Sequence, residues 1–273
     1  MQIDFGYELI YEFPQPTPML LMLNVHQSRA ADLATPDAMI TSPDVPVTTY
    51  LDRFGNLCTR LVAPAGQFRV SATGMIRDTG LPDLVPYYAE QHPIEDLPED
   101  TLKYLLGSRY CETDELSNIA WGMFGHIPGG WPRVQAICDW VHNHITFNYA
   151  HTRPTKTALQ TYQEGNGVCR DYAHLALTLC RCLNIPARYC TGYLWEYYPA
   201  GTGPTAEHPH DFAGWLEAFI GGTWHCFDPR NNEPRRGRIL IGRGRDATDV
   251  AITNTFGPNK LTNFTVWTRE HLA

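Results

Sequence analysis

The hydrophobic pattern of this chain changes period once, and that change constrains the fold more than any other feature. From Ile3 to about Met75 the pattern has period two, with Phe5, Tyr7 and Leu9 and later Phe68, Val70 and Ala72 alternating with polar neighbours. Turn-forming clusters, Asp52-Arg53-Phe54-Gly55-Asn56 and Pro64-Ala65-Gly66, separate the runs. Beyond Pro82–Pro93, rich in proline and tyrosine, apolar residues recur about every 3.6 positions. The reading is α+β: a mainly-β domain over residues 1–90 and a helix-bearing core over 91–273. The 273 residues include 7 Trp, 14 Tyr and 11 Phe, enough core material for this plan, while 22 Gly and 21 Pro keep its elements short.

In the second part, Pro98 opens a short helix and Thr113 another that runs through Phe124. A third begins at Trp131-Pro132, with Val134, Ile137, Cys138, Val141 and Ile145 on one stripe. His142 and His144 lie two apart, so they face different sides and make no metal pair. The next helix is the chemical one. Gly165-Asn166-Gly167-Val168-Cys169-Arg170-Asp171 leads into a run that stops at Asn184-Ile185-Pro186, with Val168, Tyr172, Leu179 and Leu183 among its buried positions. Cys169 falls in the first turn. There the unpaired N–H groups and the positive end of the helix dipole favour a thiolate, so its pKa is expected to be depressed. The same N–H groups can hold an oxyanion, and the flanking glycines leave room for a substrate backbone.

Charge and cysteine usage exclude several alternatives. A formal net charge of −8, from 21 basic and 29 acidic residues, leaves no footprint for nucleic acid or anionic lipid. The N-terminus lacks a basic segment followed by an apolar run, and no stretch approaches the ~18 apolar residues of a membrane span. The chain is therefore expected to be cytoplasmic, without membrane or nucleic-acid partners, its eight cysteines being thiols. Cys58, Cys111, Cys138, Cys180, Cys182, Cys190 and Cys226 are read as packing residues. A zinc site from Cys180, Cys182 and Cys190 is rejected, because two helical positions two apart point about 200° from each other. No loop has EF-hand spacing, and no cofactor is expected.

Downstream, Arg188–Leu194 reads as a strand, and Trp215–Ile220, Gly221-Gly222 and Thr223–Asp228 read as a hairpin. With Ile220 opposite Thr223, Trp215 faces Asp228, and position 213 shares that face about 7 Å away on the diagonal. An imidazole at 213 would be oriented by Asp228 in a Cys-His-Asp arrangement. The basic segment Arg235–Arg245 either lines the cleft or pairs with nearby carboxylates.

These residues together resemble the transglutaminase-like superfamily of papain-type cysteine enzymes: Gly165–Asp171 heading the helix, Asn184-Ile185-Pro186-Ala187-Arg188 with Thr191-Gly192-Tyr193, and Trp215-x-Glu217 followed by Trp224 to Asp228-Pro229. The first part is similar to the N-terminal β region of bacterial transglutaminase-like proteins in Leu20–Leu23, Asp52–Asn56 and Pro64–Gly66. The resemblance implies a papain-like core, with a central nucleophile helix packed on an antiparallel sheet, Cys169 as nucleophile and Asp228 as third member of the triad. The family's histidine would stand at position 213, which here is Ala213. His210, or less directly His208, can swing in from the preceding loop, and His210 is taken as the candidate base. His225 has the wrong strand parity without a bulge, and His174 lies about 140° round the helix from Cys169. If none serves, Cys169 relies on the helix terminus with Asp228 or Asp211 nearby, or the site is inactive. The expected activity is attack of Cys169 on a peptide or glutamine amide to form a thioester, resolved by water or an amine. The other reading is a noncatalytic module that binds peptides or proteins.

Overall fold

The structure is a computed structural model and describes residues 1–195 and 211–271. The first part is strand after strand: β1 (Gln2–Phe13), β2 (Thr17–Leu21), β3 (Leu33–Thr35), β4 (Ile40–Ser42), β5 (Thr48–Leu51), β6 (Leu57–Ala63) and β7 (Gly66–Arg77). Both predicted turn clusters join strands here. Between β5 and β6 the Asp52 carboxylate accepts the N–H groups of Phe54 (2.8 Å) and Asn56 (2.9 Å), with Gly55 at φ 81°.

Helices follow as the period predicts: α1 (Glu99–Leu102), α2 (Thr113–Phe124) and α3 (Trp131–His144). After β8 (Thr146–Phe147) comes α4 (Ala158–Glu164), a helix the hydrophobic period does not reveal. Its signal is the capping box of Thr157 with Gln160. Then come β9 (Asn166–Gly167), α5 (Cys169–Cys182), β10 (Ala187–Leu194), β11 (Ala213–Ile220), β12 (Thr223–Phe227), β13 (Arg238–Gly244), β14 (Thr253–Thr255) and β15 (Lys260–Glu270).

The core sheet has the order β12-β11-β10-β13 and is antiparallel. The hairpin register is the expected one, with Ile220 opposite Thr223 and Leu216 opposite Phe227. Helix α5 packs on β10 and β11 from one side and on α2, α3 and α4 from the other. The sequence suggests a single buried stripe on α5, yet every residue from Asp171 to Cys182 is buried. Burying leucines such as Leu175, Leu177 and Leu179 stabilises by about 2 kcal/mol each. Most of the polar members are satisfied in place, the His174 Nδ1 being the exception. Arg181 donates to the carbonyls of Ala187 (2.8 Å) and Leu106 (3.1 Å) and to that of Arg245.

The chain's last strands do not stay with the core. β15 pairs with β1 in the sheet β15-β1-β7-β3, β4 also joining β7, and β14 pairs with β2 in the sheet β14-β2-β6-β5. Residues 253–270 therefore hydrogen-bond to the first part, whereas the expected division placed them in the second. Cross-strand pairs between the two termini are invisible to local pattern. The two parts also share one hydrophobic cluster, in which Phe5 of β1 meets Tyr193 of β10 at 5.2 Å between ring centroids.

Candidate active site

The start of α5 is held by four devices. Gly165 ends α4 in the left-handed conformation, at φ 62°. β9 pairs in parallel with β8, Phe147 opposite Gly167. Lys156, fully buried, donates to the Asn166 carbonyl (2.6 Å) and side-chain oxygen (2.7 Å). The Asp171 carboxylate then reaches back to accept the Val168 N–H at 3.0 Å. Gly167 is required by that contact, since a Cβ would lie 2.7 Å from an Asp171 oxygen. Gly165 and Gly167 thus serve the helix start.

Cys169 is half-buried and faces a cavity of about 320 Å³. Val168, Tyr189 and Thr191 line it from the core, Asp211 and Phe212 from the residues just before β11, and Phe264 from β15. Further residues of the 247–252 segment close one wall. The thiol accepts a backbone hydrogen bond from Gly214. Its titration departs from the sequence expectation. Desolvation, and next the Asp211 carboxylate, outweigh the Gly214 N–H and the Arg230 guanidinium, and the thiol is pushed up to about 11. Asp228 adds a smaller effect in the same direction. Asp211 is exposed at the cavity mouth, where desolvation raises its own carboxyl despite a hydrogen bond from the Phe212 N–H (2.7 Å).

Asp228 is buried and fully engaged elsewhere. Its oxygens accept from the Asn231 N–H (3.1 Å), the Asn231 side chain (2.8 Å) and Arg238 (3.3 Å). Arg238 also pairs with Asp83 at 2.9 Å and lies over the Trp215 ring at 5.2 Å. Asp228 lines a second cavity of about 320 Å³, shared with Asp83, Asp139, Glu233 and Trp131. The basic segment behaves as the pairing account expects, with Arg235 on Glu233 (2.8 Å), Arg238 on two aspartates and Arg245 on Asp249 (2.9 Å).

The histidines divide clearly. His208 and His210 lie outside the described residues. Ala213 pairs with Gly192 and packs on the buried cluster of Cys190, Trp215 and Leu240. His225 stands opposite Ala218 with its ring 5.9 Å from that of Trp131, away from Cys169 as its parity requires. His174 is fully buried between the rings of Tyr110 and Tyr189, both at 5.0 Å. Its Nε2 accepts the Ala247 N–H at 3.1 Å, and burial holds its pKa down at about 3, so it is neutral. His142 is bound by Nδ1 to the Pro229 (3.1 Å) and Arg230 (2.9 Å) carbonyls.

Six of the remaining cysteines, Cys58, Cys111, Cys138, Cys180, Cys182 and Cys190, are buried, and Cys226 is half-buried with its thiol 3.8 Å from a Glu217 oxygen. Among the described residues no group of three or more His, Cys, Asp or Glu is placed to hold a metal ion. None of their helices is long and apolar enough to cross a membrane. Two features of the site escape sequence reasoning: that Asp211, named only as a neighbour of Cys169, opposes its ionisation, and the 247–252 wall with Phe264. Both come from segments with no motif of their own.

Comparison with known proteins fits this geometry. The sequence profile of the transglutaminase-like superfamily matches residues 126–229, a span that holds Cys169, position 213 and Asp228. An uncharacterized protein of Mycobacterium leprae is 36% identical over 119 residues, 43% of this chain and 42% of that one. One of Mycobacterium bovis is 29% identical over 127 residues, 44% of this chain and 40% of that one. The chain spans about two fifths of the length of these mycobacterial relatives. The crystal structure of a candidate cysteine protease from Cytophaga hutchinsonii is 31% identical with a TM-score of 0.85, covering 98% of this chain and 90% of that one. A likeness of that extent, together with the profile match, places the chain in the transglutaminase-like superfamily.

Proposed function

We propose that the protein is a cysteine-dependent acyl-transfer enzyme acting on amides of peptide or protein substrates. The observation that carries this reading is Cys169 at the start of α5, facing a cavity of about 320 Å³ and accepting the Gly214 N–H. Cys169 attacks the amide carbonyl, the amine leaves with a proton, and the thioester passes its acyl group to water or to another amine. Hydrolysis is the preferred outcome. Among the described residues no imidazole reaches the thiol, so His210 is proposed as the base and Asp228 as the group that orients it. For this, one Asp228 oxygen must exchange an Asn231 or Arg238 contact for the imidazole. The division into a β part over 1–90 and a core over 91–273 is kept as a proposal, with 253–270 contributing strands to the first part. Eight free thiols favour a reducing, cytoplasmic compartment.

A second reading, a noncatalytic peptide-binding module, is favoured by Ala213 and by the thiol standing at about 11. Thioester trapping separates the two. The intact chain is incubated with an activated acyl-amide panel and quenched in acid, and its mass is measured. The enzyme reading expects an acyl adduct on Cys169, absent in C169S and removed by hydroxylamine. Binding of the panel without any adduct overturns it in favour of the module.

A further inference from the structure

We propose that the cavity beside Cys169 receives a cationic side chain of the peptide substrate, an aliphatic stem ending in an ammonium or guanidinium that pairs with Asp211. The inference rests on the acyl-transfer reading and adds its substrate class. Val168, Phe212, Val250, Ile252 and Phe264 give the cavity apolar walls suited to a methylene stem, and Asp211 is the carboxylate that lines it. Among the described residues no cation pairs with Asp211; its bonded partner is the N–H of Phe212. Arg170 also lines the cavity but is committed to Asp171 (3.0 Å) and the Arg153 carbonyl (2.7 Å). Arg230 lies over the Phe147 ring at 4.3 Å. A carboxylate at the mouth of an apolar cavity, with no cation paired to it among the described residues, is complementary to a cation brought by the ligand.

The pairing also reaches the nucleophile. The charged groups acting on Cys169 are Asp211 and Asp228, which oppose ionisation, and Arg230, which favours it, while Gly214 donates a hydrogen bond. A substrate cation on Asp211 cancels the stronger of the two opposing charges, so the thiolate is favoured when the correct substrate is bound.

The test uses two probes of equal shape, n-butylguanidinium and n-butylurea, titrated into the full chain and followed by NMR shift changes. The charged probe is expected to bind at least tenfold more tightly. That preference should vanish in D211N and persist in C169S. Equal binding of the two probes, or a preference that survives in D211N, overturns the assignment. A second readout tests the coupling. Without ligand, iodoacetamide should alkylate Cys169 at pH 8 at least threefold faster in D211N, about half a pKa unit, and an unchanged rate overturns the link to the thiol. If the guanidinium preference holds while Cys169 forms no acyl adduct, the cation subsite stands and the acyl-transfer reading falls. The converse result removes only the subsite.

Discussion

Two cavities of the same volume, about 320 Å³, flank the hairpin β11–β12, and they treat negative charge in opposite ways. In the one lined by Asp83, Asp139 and Asp228, the fold supplies its own compensation: Arg238 bridges Asp83 and Asp228, while Gln135 (2.8 Å) and Asn232 (2.8 Å) donate to Asp139. In the other, Asp211 beside Cys169 accepts, among the described residues, a single backbone N–H, that of Phe212. A charge already neutralised by the fold is structural; one left for a ligand to neutralise is where binding energy can do chemistry. The sharpest way to break this contrast is Arg238→Met. It removes the cation from two carboxylates, one of them buried, and should cost about 3–5 kcal/mol, read as a drop in the urea midpoint. Adding Asp228→Asn to it should recover part of the loss. If Arg238→Met is neutral, the acidic cavity is not held by that bridge and the contrast fails.

The next effect concerns the helix that carries Cys169 into its cavity. Gly167→Ala places a Cβ against Asp171, which caps the helix bearing Cys169, and should cost about 2 kcal/mol through strain and the lost cap. An undiminished denaturation midpoint would show that the helix start yields without cost. Acid should act on the thiol cavity's wall through His174. Its pKa lies below the unfolded value, so the contribution is present above pH 6.5 and is lost as pH falls towards about 3. Protonation also removes the acceptor of the Ala247 N–H, which belongs to that wall. The slope of Tm between pH 6.5 and 4 should flatten in His174→Gln; an unchanged slope assigns the acid sensitivity elsewhere.

Legibility in the sequence followed the range of the interactions. The α3 stripe, the α5 boundaries and the Ile220–Thr223 register were readable, because each is fixed within about one element of chain. Helix α4 carried its signal in Thr157 and Gln160 rather than in its apolar period. What could not be read depended on distant segments. The pairing of β15 with β1 sets Ile3 opposite Glu270, 267 positions apart, and no local pattern encodes it. The direction of the Cys169 shift failed for the same reason. Its position at a helix start argues for a thiolate, while the desolvation and the Asp211 charge that decide the matter come from packing.

A smaller effect is expected from restoring the family's histidine. Ala213 lies in β11 with its methyl on the Cys190, Trp215 and Leu240 cluster, and by register position 213 shares a face with Asp228. Ala213→His should raise the rate of Cys169 alkylation at pH 7 at least tenfold, about 1.4 kcal/mol, if the imidazole reaches both the thiol and Asp228. An unchanged rate would mean that Arg238 and Asn231 keep Asp228 from orienting it.

The smallest effect separates the two cavities on stability alone. Asp211→Asn keeps the acceptor for the Phe212 N–H and removes a charge with no cation partner among the described residues. It should change the unfolding free energy by less than about 0.5 kcal/mol. Asp228→Asn leaves Arg238 paired with Asp83 alone and replaces a buried acceptor of charged hydrogen bonds, so it should cost about 1–3 kcal/mol. Equal costs in side-by-side urea titrations would show that Asp211 is as much a part of the fold's own charge balance as Asp228. A near-zero cost at Asp211 beside a clear one at Asp228 is what the proposed cation subsite expects, because a carboxylate that awaits a ligand's cation contributes little to the free fold.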